Sequence, residues 1–264
     1  MTLRDDVAAE RTSMGRGMDV VGCVADLSAA SEQGVSVQAI ARALGRDRSQ
    51  VSRTLAALAE ERLVSRGSDG GYRLAWGWYA SAEQLVERRL RSEGLTILDE
   101  LSEAVGEASF LGVLEGDTTV TIVESVPPAA RLIGSWIGRA YPAFCSDAGQ
   151  AVLWDASDDE VRGVFSRTTF RSAGPRAAAS VDEFLERLNA ARARGYAIVA
   201  EEAEPGLYSV SAPVWDFRGE VVAGLQIVGE RYRLEPRSEA LGAAVVDAAQ
   251  RLSTMLGADE ARGE

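Results

Sequence analysis

Histidine and lysine are both absent from the 264 residues, and cysteine occurs only twice, at Cys23 and Cys145. Without histidine, the chain cannot build a Ser-His-Asp triad, a Cys-His nucleophile or a His-ligated zinc site. Without lysine, it has neither a Schiff-base lysine nor the lysine of a phosphate-binding P-loop. The two cysteines are far apart and form no CxxC motif, so we expect neither a metal cluster nor a disulfide framework. We therefore expect no cofactor.

Long apolar runs and a signal sequence are also lacking. Residues 1–20 contain seven charged side chains and no apolar segment of the kind found in signal peptides. The longest apolar stretches, such as Val221–Val228, are far shorter than the roughly 20 residues needed to cross a bilayer. We expect a cytoplasmic protein that has reduced thiols and no membrane partner.

Positive charge is scarce overall, but it is unevenly distributed. The net charge is −12, which excludes a uniformly basic coat and confines any nucleic-acid contact to one region. Within residues 35–58, four arginines face a single acid, Asp47. A small basic region on an acidic protein is typical of a nucleic-acid binder. An ordinary solvated helix face would show the same charges, so the order of the predicted elements has to decide.

The pattern of this region predicts three helices followed by a hairpin. Apolar residues at helical spacing indicate a first helix near residues 16–30. A second helix, Val37–Leu44, follows the capping residue Ser36 and ends at a glycine turn. The third begins at Asp47, which together with the glutamine three residues later resembles a capping box. Residues 63–74 then form a hairpin around a Gly/Asp-rich turn.

Two short helices joined by a glycine turn, with a hairpin attached, indicate a winged helix-turn-helix. A helix that enters the major groove presents short polar or arginine side chains to the base edges. The third helix carries such side chains on its exposed face, and the hairpin adds two arginines that could reach phosphates. The predicted DNA-binding residues are Arg46, Arg48, Ser49, Gln50, Ser52, Arg53, Arg66 and Arg73. We expect the partner to be a double-stranded, palindromic operator.

Beyond residue 77, the pattern predicts helices packed on one antiparallel sheet. Helices are expected at 78–90, 95–105, 147–154, 180–194 and 236–256, with a break at 92–94, and a further helix is expected to start at 157–160, where acids fill the first turn. Strands are expected at 108–114, 118–124, 132–137, 196–201, 207–214 and 221–228. Such an α+β arrangement can enclose a small-ligand cavity.

Three stretches, 44–55, 132–151 and 195–214, are similar to the IclR family of bacterial transcriptional regulators. The resemblance covers about 240 residues and implies a winged helix-turn-helix (1–76), a linker helix (77–94) and a GAF-like effector-binding domain (95–264). It also implies a homodimer or a dimer of dimers. The chain departs from the family pattern at Asp47 and Arg48, where Pro and Lys are usual. It has Phe144 and Tyr208 where His and Arg are common, which changes the expected polarity of the effector pocket.

The resemblance also implies which residues line that pocket. The loop and helix start supply Cys145, Ser146, Asp147 and Ala148, and the strands supply Val199, Leu207, Ser209, Gln226 and Val228. Three aromatic residues nearby in sequence, Trp136, Tyr141 and Phe144, are either pocket walls or ordinary core. Ser209 and Gln226 lie within strands and face either solvent or a cavity. Aromatic walls favour an aromatic acid as effector, although the Asp147 carboxyl opposes an anion unless it caps the helix.

These observations predict a ligand-responsive transcriptional regulator of a catabolic operon. The alternative is an enzyme or thiol redox sensor that uses Cys145, with the N-terminal helices serving as a dimerisation module; Arg139 and a helix start could lower the pKa of this thiol. Glu201 and Glu202 are adjacent on a predicted strand and point to opposite faces, so they cannot form a catalytic pair. We expect one of them to anchor the turn that follows, and we do not expect an enzyme.

Overall fold

The computed structural model describes residues 12–29, 34–130, 135–171 and 174–258. The chain divides into two compact units, Met1–Leu85 and Val86–Glu264. None of the helices in the described ranges is both long and apolar enough to cross a membrane.

In the described part of the N-terminal unit, three helices and a two-stranded hairpin precede a long helix that begins at Trp76. The helices are α1 (Ser13–Ala29), α2 (Val37–Leu44) and α3 (Arg48–Glu60), and the antiparallel strands are β1 (Val64–Arg66) and β2 (Tyr72–Leu74). Val24, Ile40 and Leu55 are fully buried and bring one side of each helix into a common core. These are the elements of the predicted winged helix-turn-helix.

The local signals that separate α2 from α3 act as the sequence predicts, with one difference. The Ser36 hydroxyl accepts a hydrogen bond from the Ala39 amide, and Gly45 ends α2 with a φ of 60°. The Asp47 carboxylate caps α3 by accepting the amides of Ser49 and Gln50. The reciprocal capping box expected at α3 is found instead at the start of a later helix, at Ser157 and Glu160.

A single helix, α4 (Trp76–Val105), replaces the two helices expected at 78–90 and 95–105. The break predicted at 92–94 is wrong, because Gly94 is needed for packing rather than for a turn. A Cβ atom at Gly94 would lie 3.1 Å from Leu111 Cδ2. Packing against Leu111 thus offsets the roughly 1 kcal/mol that a glycine costs inside a helix.

The C-terminal unit is built on one antiparallel sheet. Its strands are β3 (Ala108–Glu115), β4 (Thr118–Ser125), β5 (Ala140–Pro142), β6 (Ala197–Ala200), β7 (Leu207–Trp215) and β8 (Val221–Glu230), in the order β5-β4-β3-β8-β7-β6. The strand expected at 132–137 is wrong for 135–137, which lie outside any strand, while 131–134 lie outside the described residues. Its place beside β4 is taken by β5, with Thr119 opposite Tyr141.

Five further helices belong to this unit. They are α5 (Gly149–Val152), α6 (Asp158–Val164), α7 (Val181–Arg194), α8 (Arg231–Leu234) and α9 (Ser238–Met255). The helix expected at 147–154 is reduced to the single turn of α5. The helix expected from residue 236 begins at Ser238, because a 3₁₀ turn, Glu235–Arg237, precedes it. Ser157 and Glu160 form the capping box of α6.

The two faces of the sheet differ in chemistry. One face is apolar and contributes Leu111, Val210 and Leu225 to a core shared with α4 and α9. The other face, which we call the polar face, is mixed: Ser209 and Ser211 alternate with the apolar residues of β7, Gln226 pairs with Ser211, and Phe110 and Val228 lie beside them. The short helix α5 lies against this second face.

Glycines allow α5 to lie close to the sheet. A Cβ at Gly224 would lie 3.0 Å from the Ala151 Cβ, and one at Gly112 would lie 3.1 Å from the Ala148 Cβ. Within α5 itself, a Cβ at Gly149 would lie only 1.7 Å from the Ala143 carbonyl oxygen. The loop 143–148 and α5 are therefore fixed against the polar face of the sheet.

We predict that Gly149→Ala destabilises the protein by about 1–3 kcal/mol, because the added methyl group overlaps backbone. The matched control is Gly163→Ala in α6, where a Cβ meets nothing within 4 Å. That control should leave stability unchanged or raise it by roughly 0.5–1 kcal/mol. Urea unfolding followed by tryptophan fluorescence measures both variants. Equal effects of the two substitutions would contradict the close packing at Gly149.

Candidate functional site

The helix predicted to recognise DNA is α3, and its two sides differ in chemistry. Val51 and Leu55 are buried in the core of the unit. The opposite side presents solvent-exposed side chains that carry hydrogen-bonding groups or positive charge. They are Arg48, Ser49, Gln50, Ser52 and Arg53. Hydrogen bonds from the Ser49 hydroxyl and amide and from the Gln50 amide keep the pKa of the capping Asp47 carboxyl below its usual value.

Arg46, one of the predicted DNA-binding arginines, lies in the turn before α3 and contacts two residues of α1. Its guanidinium forms an ion pair with Asp19 and donates to the Arg16 carbonyl oxygen at 3.0 Å. The side chain is only 19% exposed. These contacts give Arg46 a positioning role at the start of α3.

The arginines of the hairpin make contacts within the hairpin. The Arg66 guanidinium lies over the Tyr72 ring, 5.8 Å from its centre. Arg73 pairs with Asp69 at 2.8 Å, and Asp69 also accepts the amides of Gly34 and Gly71. The Arg73 hydrogen bond and these amides lower the pKa of Asp69 to about 2. These contacts hold the tip of the hairpin in place, and the charge of Arg73 is partly compensated by that of Asp69.

In the C-terminal unit, a small cavity lies between the polar face of the sheet and the loop that leads into α5. Its volume is about 20 Å³, which is room for a single water molecule. Six of its lining residues are among those predicted for the effector pocket: Trp136, Tyr141, Ser146, Asp147, Ala148 and Gln226. Thr119, Thr121 and Ala203 also line it and were not predicted. The two threonines are two residues apart on β4 and therefore point to the same face of the sheet. This spacing could have identified them from the sequence.

Unpaired polar atoms are concentrated around this cavity. Among the described residues, seven buried side-chain nitrogen or oxygen atoms have no well-formed hydrogen bond, and six of them belong to this region. They are Trp136 Nε1, Ser146 Oγ, Asp147 Oδ1, Ser209 Oγ, Ser211 Oγ and Gln226 Oε1. Leaving one such group unsatisfied costs about 1–3 kcal/mol. An accumulation of this kind is typical of a site that binds a ligand or ordered water.

The Asp147 carboxyl is the charged group at the centre of the site. The residue is partly buried, and its Oδ1 atom is shielded from solvent. Burial raises the pKa of Asp147 to about 6, the negative charge of Glu204 adds to this rise, and the nearby Ser209 hydroxyl opposes it. Glu202 belongs to the same acidic group: burial raises its pKa to about 7 despite an ion pair with Arg187 at 2.8 Å.

Two aromatic side chains form the partly exposed wall of the cavity. Trp136 and Tyr141 stack with ring centres 5.4 Å apart, and the Arg139 guanidinium lies 5.1 Å from the Trp136 ring centre. The Tyr141 hydroxyl donates a hydrogen bond to Glu204 at 3.3 Å. Burial and this carboxylate both raise the pKa of Tyr141. The structure thus places these two aromatic residues at the site rather than in the core.

Phe144 and Cys145 lie apart from the cavity. Phe144 is fully buried in a second apolar cluster and packs on Phe170, with ring centres 4.8 Å apart. Cys145 belongs to the same cluster, and its thiol donates to the Pro142 carbonyl oxygen at 3.5 Å. Of the two alternatives for Phe144, pocket wall or ordinary core, the structure shows the second. A buried thiol of this kind gives no support to a nucleophilic or redox role.

The remaining predicted pocket residues surround the polar face without lining the cavity. Val199 and Val228 pair with Ser209 on either side and are buried. Leu207 and Val228 line a separate cavity of about 50 Å³ with Glu107 and Arg233. Ser211 lies on the same face as Ser209 and Gln226. It was not among the predicted pocket residues, although it is two residues from Ser209 on the same strand.

The two adjacent glutamates have separate roles. Glu201 Oε1 accepts the Gly206 amide at 3.0 Å, which confirms that one of the pair anchors the turn. Glu202 is turned into the protein toward Arg187. In the described ranges, no group of three or more acidic or cysteine side chains could hold a metal ion.

A winged helix-turn-helix combined with a sheet domain that contains a buried polar cavity defines a ligand-responsive regulator of transcription. Comparisons with known proteins agree. Residues 82–254 match the family model described as "Bacterial transcriptional regulator IclR C-terminal", and residues 28–80 match a second model, HVO_A0114. The chain belongs to the IclR family. Members of this family are transcriptional regulators that bind DNA and small effectors, and they are not enzymes.

Individual relatives cover most of the chain. The HTH-type transcriptional regulator Rv1719 of Mycobacterium tuberculosis is 32% identical over 224 residues, which span 82% of this chain and 84% of the relative. The HTH-type transcriptional regulator BhcR of Paracoccus denitrificans is 28% identical over 94% of this chain and 89% of its own length. The crystal structure of an IclR-family regulator from Rhodococcus sp. has a TM-score of 0.63 at 24% identity, and it covers 95% of this chain and 97% of that one. This structural likeness supports the fold.

We predict that Asp147→Asn stabilises the protein at neutral pH. A carboxyl whose pKa is about 6 when folded and about 4 when unfolded binds a proton more tightly in the folded state. Its ionisation therefore lowers the free energy of unfolding progressively from about pH 4 to pH 6, by roughly 2–3 kcal/mol once complete. The gain from Asp147→Asn should be smallest near pH 4 and reach a plateau above about pH 7. Denaturant unfolding of both proteins from pH 4 to pH 8 measures it, and a gain that shrinks with rising pH would contradict the buried charge.

Proposed function

We propose that α3 enters the major groove of an operator and that its exposed face reads the sequence. The observation that carries the proposal is the division of α3 into a buried apolar side and an exposed polar side. Ser49, Gln50 and Ser52 offer hydrogen bonds to base edges. Arg48 and Arg53 are suited to phosphates or guanine edges. Arg46 supports this face from the turn, and Arg66 and Arg73 add contacts to the phosphates beside the hairpin.

The cavity beside Asp147 is the site that we assign to a small-molecule effector. The support is the set of buried, unpaired polar atoms contributed by β7, β8 and the loop before α5. We keep the division into a DNA-binding domain (1–76), a linker (77–94) and an effector-binding domain (95–264) as a proposal. The linker then forms part of α4, which contains residues of both compact units. An effector changes operator affinity only to the extent that it prefers one arrangement of the domains, typically by about 1–3 kcal/mol.

The active form is proposed to be a homodimer or a dimer of dimers. One helix-turn-helix reads a short half-site, and two-fold symmetry provides the second at about 34 Å or a multiple of it. Trp76, at the start of α4, is 83% exposed, which supports an interface close to the linker. The sequence also predicts an exposed apolar stripe on Trp78–Leu90 as the dimer contact. The side chains of 79–85 lie outside the described residues, and Val86 and Leu90 are buried in this structure.

Substitutions on α3 test the DNA interface. Gln50→Ala should reduce discrimination at one base position by about 1–3 kcal/mol, because it removes a base contact. Arg48→Ala should weaken binding to all sequences alike and lower the slope of log affinity against log salt by about 1, because it removes a phosphate contact. Arg91→Ala, which removes an exposed arginine of α4, is the control for charge. Titrations against an operator and a scrambled duplex measure the effects, and wild-type behaviour of both α3 variants would contradict this assignment of the recognition helix.

The association state can be measured directly. Multi-angle light scattering at micromolar concentration should return the mass of a dimer or tetramer. Trp76→Ala should shift this equilibrium toward the monomer, because it removes the most exposed large apolar side chain described. A monomer mass for the unaltered protein would contradict the proposed symmetry.

A further inference from the structure

Six polar atoms around the cavity lack a well-formed hydrogen bond, and they differ in what they can bind. Gln226 Oε1 can only accept, and so can the Asp147 carboxylate while it is ionised. Trp136 Nε1 can only donate, and the three serine hydroxyls can donate or accept. A ligand group that pairs with the Asp147 and Gln226 oxygens must therefore bring N–H or O–H donors. A carboxylate brings acceptors only, so it would leave these two oxygens without a donor from the ligand.

The charges around the cavity favour the same kind of ligand. Glu204 and Glu202 lie near enough to Asp147 to affect its electrostatics, and Tyr141 faces it from β5. No arginine is among the described residues that line the cavity. Arg187 pairs with Glu202, and Arg139 lies over Trp136, so both nearby cations are already in contact with other groups. A buried carboxylate surrounded by acids is costly unless a positive charge joins it.

The size and walls of the cavity indicate how such a ligand would lie. About 20 Å³ accommodates one small polar group and no ring. The rest of a ligand must extend past the partly exposed pair Trp136 and Tyr141. Aromatic faces attract cations and also pack well on apolar groups.

We propose that the effector is a primary amine whose ammonium group binds beside Asp147 and Gln226, with its apolar part against Trp136 and Tyr141. This inference rests on the proposed effector role of the cavity. It differs from the aromatic acid predicted from the sequence, because the walls are aromatic as expected but the polar end of the site is acidic. The aromatic acid remains the competing prediction.

The two ligand classes differ in the direction of their pH dependence. An ammonium group prefers ionised Asp147, so its affinity should fall by about tenfold between pH 7.5 and pH 5, as a carboxyl with a pKa of about 6 takes up its proton. A carboxylate is repelled by ionised Asp147, so its affinity should rise over the same interval. The sign of the change separates the classes without knowledge of the natural effector.

The experiment uses three probes of matched shape: benzylammonium, benzoate and benzyl alcohol. Their binding to the full-length protein is measured by isothermal titration calorimetry at pH 5.0, 6.0 and 7.5. We expect benzylammonium to bind at least tenfold more tightly than the other two at pH 7.5 and to lose about tenfold by pH 5.0. Asp147→Asn should remove both the preference and the pH dependence. The control Glu186→Gln, an exposed acid of α7, should retain both.

Benzoate binding as tightly as benzylammonium, no binding of any probe, or an unchanged preference in Asp147→Asn would each overturn the proposal. The pH series on the unaltered protein decides the question even if Asp147→Asn fails to fold. Operator titrations with the same preparation separate the two levels of inference. If benzoate alters operator affinity and Gln226→Ala abolishes that response, the ligand class is wrong and the effector site stands. If the unaltered protein shows no salt-dependent operator binding, the proposed function itself fails.

Discussion

The close approach of α5 to the sheet is the contact on which the effector domain depends. Gly112 and Gly224 leave room on the sheet for Ala148 and Ala151. The absence of a side chain at Gly149 lets α5 begin close to the Ala143 carbonyl oxygen. This packing brings Ser146 and Asp147 over the polar face of β7 and β8. The cavity is thus a consequence of small residues in three places. A Cβ atom at Gly149 would overlap the Ala143 carbonyl group, and one at Gly112 or Gly224 would lie closer to Ala148 and Ala151 than ordinary contact allows.

The DNA-binding unit uses its charges differently. Much of its positive charge forms internal contacts, since Arg46 pairs with Asp19 and Arg73 with Asp69. Arg48 and Arg53 are exposed on α3. An acidic protein can in this way present a small cationic surface without a basic coat. The internal pairs hold the turn and the hairpin in place, and the exposed arginines remain for the proposed contact with an operator.

The sequence predicts most of the fold because the relevant signals are local. Ser36, Gly45 and Asp47 determine where α2 and α3 begin and end, and each does so through backbone hydrogen bonds or a positive φ. Gly94 could not be interpreted in the same way, since its role depends on Leu111, a residue on a distant strand. Local sequence gives the conformations open to a residue, whereas tertiary packing selects among them.

The candidate site was only partly predictable for the same reason. Trp136 and Phe144 are aromatic residues in one motif, and only packing places the first at the cavity and the second among Phe165, Phe170 and Phe184. The resemblance to the family pointed to Ser209 and Gln226, and each is also a polar residue within a largely apolar strand. Ser211 satisfies the same criterion and emerges once β7 is paired with β8. The acidity of the site follows from Glu202 and Glu204, whose proximity to Asp147 is a property of the folded chain.

Asp47 has a consequence for how DNA can be held. Its carboxylate occupies the amides of Ser49 and Gln50, which at an uncapped helix N-terminus would be available to a phosphate. A backbone phosphate in that position would meet a negative charge instead of free N–H groups. If α3 enters the major groove as proposed, guanidinium groups on its flank would have to hold the phosphates in place of its N-terminal amides. A proline at this position would carry no such negative charge, so the Asp47 side chain would disfavour an approach that points the helix end at a phosphate.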